Sequence, residues 1–314
     1  MNLLKDEKNA LTFLCLIVTY VSFAVVYILV SYSLEAFPPV ILACLRYFLA
    51  GLLFLFWAYF VKREWRLPTK NDWLIIFVVS CGMMIIKGGF LIYSEVYTPS
   101  GIVAVMVGSS PMWMVVLGWL FFNNKMPEPL TWAGLLIGFA GIVIITIEAV
   151  LMDGKDDHMA TGVILTGISV IGGVLGSLYS KNKKTDISIE AAFGFQMIFA
   201  SIIFLLSAVL LGEFDNFSFY SVSANSWCSF FALVLFGSVT GFSAYIWLLY
   251  NAPSGVATSY TYVEPILAVG IGVIFGGEKL TAPLVLGCGF IAVSVFIIIT
   301  ERDLWHKSYI NIKM

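Results

Sequence analysis

Three charged side chains stand where the surrounding sequence is almost wholly apolar: Arg46, Lys87 and Glu264. At the centre of a bilayer helix such a charge costs roughly 2.5–3.5 kcal/mol, so it normally faces a partner or a watery cavity. Two kinds of chemistry are open to these groups. They can bind opposite charges on a small molecule, and they can pair with one another when none is bound. Glu264 is also a candidate proton carrier, because burial disfavours a charged carboxylate. A purely structural salt bridge is the plainer alternative.

Depth follows from the 1.5 Å rise per helical residue. Lys87 lies eight residues before Glu95, about 12 Å below the outer face. Glu264 lies ten residues after Ser254, about 15 Å above the inner face. In an apolar core of about 30 Å both fall near the midplane. We expect both to face a central cavity. Arg46, about 10 Å from the outer end of its span, can attract a carboxylate, guard an outer gate or snorkel to headgroups.

Other residues are candidates for the cavity wall. Gln196 can contact a ligand, although a lone glutamine in a span more often bonds a neighbouring helix. Tyr93, Trp113, Tyr245, Trp247, Tyr260 and Tyr262 are aromatic candidates, while Trp65, Trp73, Trp227 and Trp305 suit interfacial belts. Pro111 and Pro265 each remove a backbone hydrogen bond, freeing the carbonyls of Val107 and Thr261. Such carbonyls are tolerated in a membrane only beside a cavity or a protein partner. This favours a cavity-lining bend at Pro265, with a packing kink as the alternative at Pro111.

Enzyme motifs are absent. His158 and His306 fall in loops, so no span carries a nucleophile–histidine pair or a metal cluster. No phosphate-binding glycine loop occurs, and no cofactor or metal is expected. The net charge of −2 comes without a long basic tract, which leaves nucleic acid out. Cys15, Cys44, Cys81, Cys228 and Cys288 read as small packing residues rather than a disulfide framework.

The elements that must position these groups are membrane spans. Of 314 residues 60% are hydrophobic and 11% charged, against about 25% charged in soluble domains. Ten helices are expected at about 11–33, 40–61, 72–94, 100–122, 129–148, 160–180, 189–211, 227–250, 254–276 and 281–300. The first reads as an uncleaved span, since the apolar run behind Lys5 and Lys8 exceeds a signal-peptide core. With a cytoplasmic N-terminus, the inner side holds Lys5, Lys8, Lys62, Arg63, Arg66, Lys70, Lys125, Lys181, Lys183, Lys184, Arg302, Lys307 and Lys313. The outer side holds Lys155 and Lys279. That bias places both termini in the cytoplasm.

Two segments align without a gap at an offset of 154. Pro99-Ser100-Gly101 matches Pro253-Ser254-Gly255, and Pro111 matches Pro265. Lys125, Pro129 and Thr146 then match Lys279, Pro283 and Thr300. Each half, 1–150 and 151–314, carries five helices, so the second enters the membrane from the opposite side. Inverted repeats of this kind recur in secondary transporters, although an old duplication kept only for packing is the alternative. Glycine spacings at Gly134/Gly138, Gly172/Gly176 and Gly287/Gly289 suit close helix packing.

This pattern resembles the EamA-type drug/metabolite transporter superfamily over essentially the whole chain. The residues that carry the resemblance are Leu45-Arg46-Tyr47-Phe48, Pro99-Ser100-Gly101 with Pro111, Pro253-Ser254-Gly255 with Ala257-Thr258-Ser259, Tyr262-Val263-Glu264-Pro265 and Gly276-Gly277-Glu278. The resemblance implies ten helices in two inverted five-helix repeats and a cavity lined mainly by helices 1–4 and 6–9. It also implies alternating access and export of amino acids, metabolites or drugs across a bacterial inner membrane. Two positions depart from the family: Phe23-Ala24 replaces its Trp-Gly, and Asn124 replaces an acidic residue. The expected fold is therefore an all-α membrane protein, monomeric or a homodimer, in contact with lipid. The expected activity is secondary transport of an amino acid or similar charged metabolite, with a proton as candidate coupling ion. A multidrug exporter and a non-transporting structural component are the competing readings.

Overall fold

Helix starts are specified by the loops before them. The Thr69 hydroxyl accepts the Asp72 N–H at 3.3 Å, and the Asp72 carboxylate accepts the Thr69 N–H at 2.9 Å. Ser188 and Ser223 likewise accept from Ala191 and Ser226, at 3.3 and 3.1 Å. Each such cap contributes about 1 kcal/mol by satisfying an N–H that the helix itself cannot.

A computed structural model describes the backbone of residues 2–124, 126–152, 158–183, 185–215, 217–252 and 259–312. Among the described residues, helical segments overlap the ten expected stretches. They are α1 (Asn2–Leu34), α2 (Pro39–Val61), α3 (Lys70–Ser94), α4 (Ser100–Gly108 with Ser110–Phe121), α5 (Pro129–Met152) and α6 (His158–Asn182). The rest are α7 (Ile189–Leu210), α8 (Ala224–Asn251), α9 (Tyr260–Phe275) and α10 (Ala282–Ile312). No strand occurs among the described residues. Among the described residues, six helices are long and apolar enough to cross a membrane alone, and the two parts of α4 qualify together. The apolar parts of α5, α9 and α10 are shorter. The chain is an all-α membrane protein.

Contacts divide the chain into two compact units. One comprises Met1–Val25, Pro99–Ala160 and Thr240–Met314; the other comprises Val26–Thr98 and Thr161–Val239. They are named here for the charges they carry, the Glu264 unit and the Arg46 unit. Each draws helices from both halves of the sequence repeat, so the repeat and the packing partition the chain differently. The chain crosses between units within α1, just before α4, in the first turn of α6 and within α8.

In the Arg46 unit α2 packs along α7. A Cβ on Gly51 would lie 2.9 Å from Ile198, and one on Gly194 would lie 2.7 Å from Leu55. Gly82 of α3 meets Gly172 and Gly176 of α6 as their spacing predicts. The first N–H groups of α2 are closed from elsewhere: Glu213, beyond α7, accepts from Val40 at 3.2 Å and Ile41 at 2.9 Å.

The Glu264 unit repeats this device. Glu278, beyond α9, accepts from Ser100 N at 2.7 Å and Gly101 N at 2.9 Å at the start of α4. Gly108 of α4 lies against Pro265 of α9, and Gly141 of α5 against the Gly287 carbonyl of α10. Two packing expectations are corrected. Gly289 faces open space, and the Cys228 thiol is exposed.

Three helices depart from α-helical hydrogen bonding. Trp57–Val61 at the end of α2 is π-helical, as are Cys81–Gly89 within α3 and Leu233–Thr240 within α8. Shifted by the repeat offset, the α3 stretch overlaps the α8 stretch. Single π turns inside α-helices cluster at functional sites, because the surplus residue re-aims side chains.

Candidate functional site

The Arg46 unit carries two of the three intramembrane charges. Arg46 is 7% exposed, on the inward stripe of α2. Its Nε donates to Ser238 Oγ in the π-helical stretch of α8 at 3.1 Å. Its guanidinium carbon lies 5.6 Å from the centroid of the Tyr47 ring. That ring stacks on Phe204 of α7, with centroids 5.8 Å apart. The Tyr47 hydroxyl fills the space that Gly88 leaves empty, and Phe204 packs against the neighbouring Gly89.

Lys87 belongs to the same frame. It precedes Gly88 and Gly89 in the π-helical stretch of α3 and is half-buried. Its side chain lies across Gly173 of α6, where a Cβ would come within 2.5 Å of Lys87 Cδ. Its carbonyl accepts from Ser169 Oγ at 2.6 Å. Lys87, Gly88 and Gly89 thus engage α6, α2 and α7 in turn.

The other candidates of this unit behave differently. Gln196 is 5% exposed, and its side-chain oxygen Oε1 has no hydrogen-bond partner among the described residues. The neighbouring helix is instead joined through the Gln196 backbone carbonyl, which accepts from Ser80 Oγ at 2.7 Å. Tyr93 is 37% exposed at the end of α3, beside Tyr97 at 6.0 Å between centroids.

The Glu264 unit joins a carboxylate to an aromatic cluster. Glu264 is 8% exposed on α9, one turn after Tyr260. The Tyr260 ring lies 5.2 Å from Tyr245 of α8 and 5.2 Å from Phe23 of α1. Phe242 completes the group, 5.6 Å from Phe23. All four rings are half-buried. Tyr20 and Ser259 bond beside them, hydroxyl to hydroxyl at 2.5 Å. Aromatic faces with a nearby carboxylate suit a cation. Phe23, one of the two family departures, is therefore central to this cluster.

Trp113 packs edge-on against Phe139 of α5, centroids 5.1 Å apart, with no ring contact to the cluster among the described residues. The Tyr262 side chain lies outside the described residues. The two prolines differ. α4 breaks and bends by 41° just before Pro111, and Ser110 Oγ bonds the freed Val107 carbonyl. Pro265 lies inside the unbroken helix Tyr260–Phe275, buried against Gly108. The marked break is thus at Pro111, where two serines can bond the exposed carbonyls, rather than at Pro265.

Sequence reasoning did not single out Ser238, Gly173 or Phe242, and it named Tyr47 only within the Leu45-Arg46-Tyr47-Phe48 motif. Each acts through a contact distant in sequence, and only the adjacency of Tyr47 to Arg46 hinted at a role.

Three comparisons bear on what this arrangement belongs to. The profile of the EamA-like transporter family matches twice, over residues 10–147 and 160–300. The chain belongs to the EamA-like transporter family. This transporter is 28% identical over 290 residues to an uncharacterized inner membrane transporter, YedA, of Escherichia coli K12. The match covers 91% of this chain and 90% of that one. It is 26% identical over 281 residues to an uncharacterized transporter, YvbV, of Bacillus subtilis 168, covering 88% and 87%. Among solved structures, one crystal structure superposes with a TM-score of 0.64 at 16% identity. It covers 91% of this chain and 96% of that one, so the transporter shares its fold.

Proposed function

We propose that this multi-pass protein of the inner membrane is a secondary-active carrier. It moves a small zwitterionic or charged metabolite, an amino acid or similar compound, outward by alternating access. The observation that carries the reading is how the charges are distributed. The intramembrane cations Arg46 and Lys87 belong to one compact unit, and the intramembrane carboxylate Glu264 with its four aromatic rings belongs to the other. The first set suits an acidic group and the second a basic one, the two kinds of charge that a zwitterionic cargo carries. The two family matches, each spanning about five helices, support two repeats of the inverted kind. Glu264 is the candidate site for a coupling proton.

A second reading, export of aromatic cations as toxic compounds, draws on the Phe23–Phe242–Tyr245–Tyr260 cluster. It requires Glu264 and the rings but not Lys87.

The test is uptake into proteoliposomes across an amino-acid, metabolite and drug panel, with and without a pH gradient. Lys87→Ala and Glu264→Gln are each expected to slow transport of a charged metabolite about tenfold or more. Loss in Glu264→Gln alone, with cationic drugs as cargo, selects the second reading. Normal rates in both variants at equal expression remove the first.

A further inference from the structure

We propose that Arg46 is the receiving fork for an oxyanion, held in aim by Ser238 and Tyr47. The ligand class is a small carboxylate, sulfonate or phosphate. The inference rests on the transport reading for its biological meaning, since that oxyanion would be the acidic end of the cargo, but its geometry is independent of it.

Arginine presents five N–H donors in a rigid plane. Here only Nε is engaged, by Ser238 Oγ at 3.1 Å. The two terminal nitrogens make no hydrogen bond among the described residues, and no carboxylate there comes within 4.0 Å. The terminal pair is the edge that grips a carboxylate through two parallel bonds. A surface arginine could leave it to water, but Arg46 retains only 7% of its surface, about 10 Å inside its span. Leaving a cation so placed without a counter-charge is strongly unfavourable unless an anion visits.

The surroundings fix the fork rather than neutralise it. Ser238 is itself buried, so the Nε bond cannot be lost to bulk water. Gly237 beside it keeps the α8 backbone open: a Cβ there would stand 3.5 Å from one terminal nitrogen. Tyr47, wedged between Gly88 and Phe204, is a rigid wall beside the guanidinium. A snorkelling arginine would be long, exposed and loosely held. This one is short of exposure and gripped at Nε.

Detergent-purified protein is titrated with sodium acetate, methanesulfonate, phosphate and chloride, and thermal unfolding is followed. Wild type is expected to be stabilised by at least one oxyanion over chloride at equal ionic strength. Arg46→Gln should abolish that increment. Arg46→Lys and Ser238→Ala, which keep the charge but lose the fork or its aim, should weaken apparent affinity roughly tenfold. If Arg46→Gln fails to fold, these two variants carry the test. An unchanged oxyanion response in the variants, or none in wild type, overturns the proposal. A parallel arm adds phosphatidylglycerol. Stabilisation by that lipid and by no soluble oxyanion would assign the fork to a headgroup and also overturn it. Because these measurements need no transport, an oxyanion response in a protein that moves nothing would fault the carrier reading and leave the fork standing.

Discussion

The Tyr47 hydroxyl of α2 occupies the space where Gly88 of α3 has no side chain. That contact ties the helix bearing Arg46 to the helix bearing Lys87, and both charges owe their setting to it. Gly88→Ala should therefore destabilise the protein by about 1–3 kcal/mol through overpacking. Tyr47→Phe in the same protein should restore only part of the loss, because ring carbon Cζ would still stand 2.8 Å from the new methyl. A double-mutant cycle on thermal unfolding in detergent measures the coupling, and additive effects would refute it.

Gly173 offers a cleaner way to disturb Lys87 without changing its charge. A methyl there meets Lys87 at Cβ, Cγ and Cδ, within 2.5–3.1 Å. Gly173→Ala should shift the ammonium and slow transport about tenfold, resembling Lys87→Ala more than a surface change does. Comparison of initial rates at matched protein levels decides it. A rate equal to wild type would mean the lysine position is not critical.

At the start of α4, Glu278 accepts two N–H groups and the Ser100 hydroxyl. Glu278→Ala leaves those donors unmatched and should cost about 1–3 kcal/mol. Glu278→Gln, which keeps one oxygen acceptor, should cost less. Equal unfolding temperatures for the two variants would show that the carboxylate does not hold the helix end. Asn124 stands at the corresponding place of the first repeat, so the halves are not equivalent here.

Ser110 satisfies the Val107 carbonyl that Pro111 releases. Ser110→Ala should destabilise by roughly 1 kcal/mol, the net value of one such bond. Pro111→Ala lets an N–H return to that position and should offset the loss in the double variant. Thermal unfolding of the four proteins tests this, and no compensation in the double variant would count against it.

Much of the helical framework was legible because bilayer-length apolar runs leave few alternatives. The caps Thr69, Ser188 and Ser223 went unread, although each is a polar residue just before an apolar run. An enclosed setting for Glu264 was foreseeable from its depth in an apolar run; for Arg46 the sequence left snorkelling open, and the structure instead buries it. The partners were not foreseeable. Ser238 reaches Arg46 across 192 positions, and Glu213 reaches Val40 across 173. Nothing in local periodicity marks such pairs. The repeat was visible in Pro99-Ser100-Gly101 and its copy, yet the compact units cut across it, because helices pack with spatial rather than sequential neighbours. The π-helical stretches were invisible too, since they reflect a hydrogen-bond register and not a composition.

That register has a geometric consequence for α3. Ser80 reaches Gln196 of α7, and Gly89 receives Phe204 of the same helix. Nine positions separate them, which in an α-helix is about 2.5 turns and would aim them in opposite directions. Wider turns, each absorbing one residue more, bring the same nine positions to about two full turns, so both aim alike. The stretch Cys81–Gly89 thus acts as an azimuth correction that lets α3 track one neighbour through the depth of the membrane. Removing any single residue from it would rotate one end of α3 away from α7.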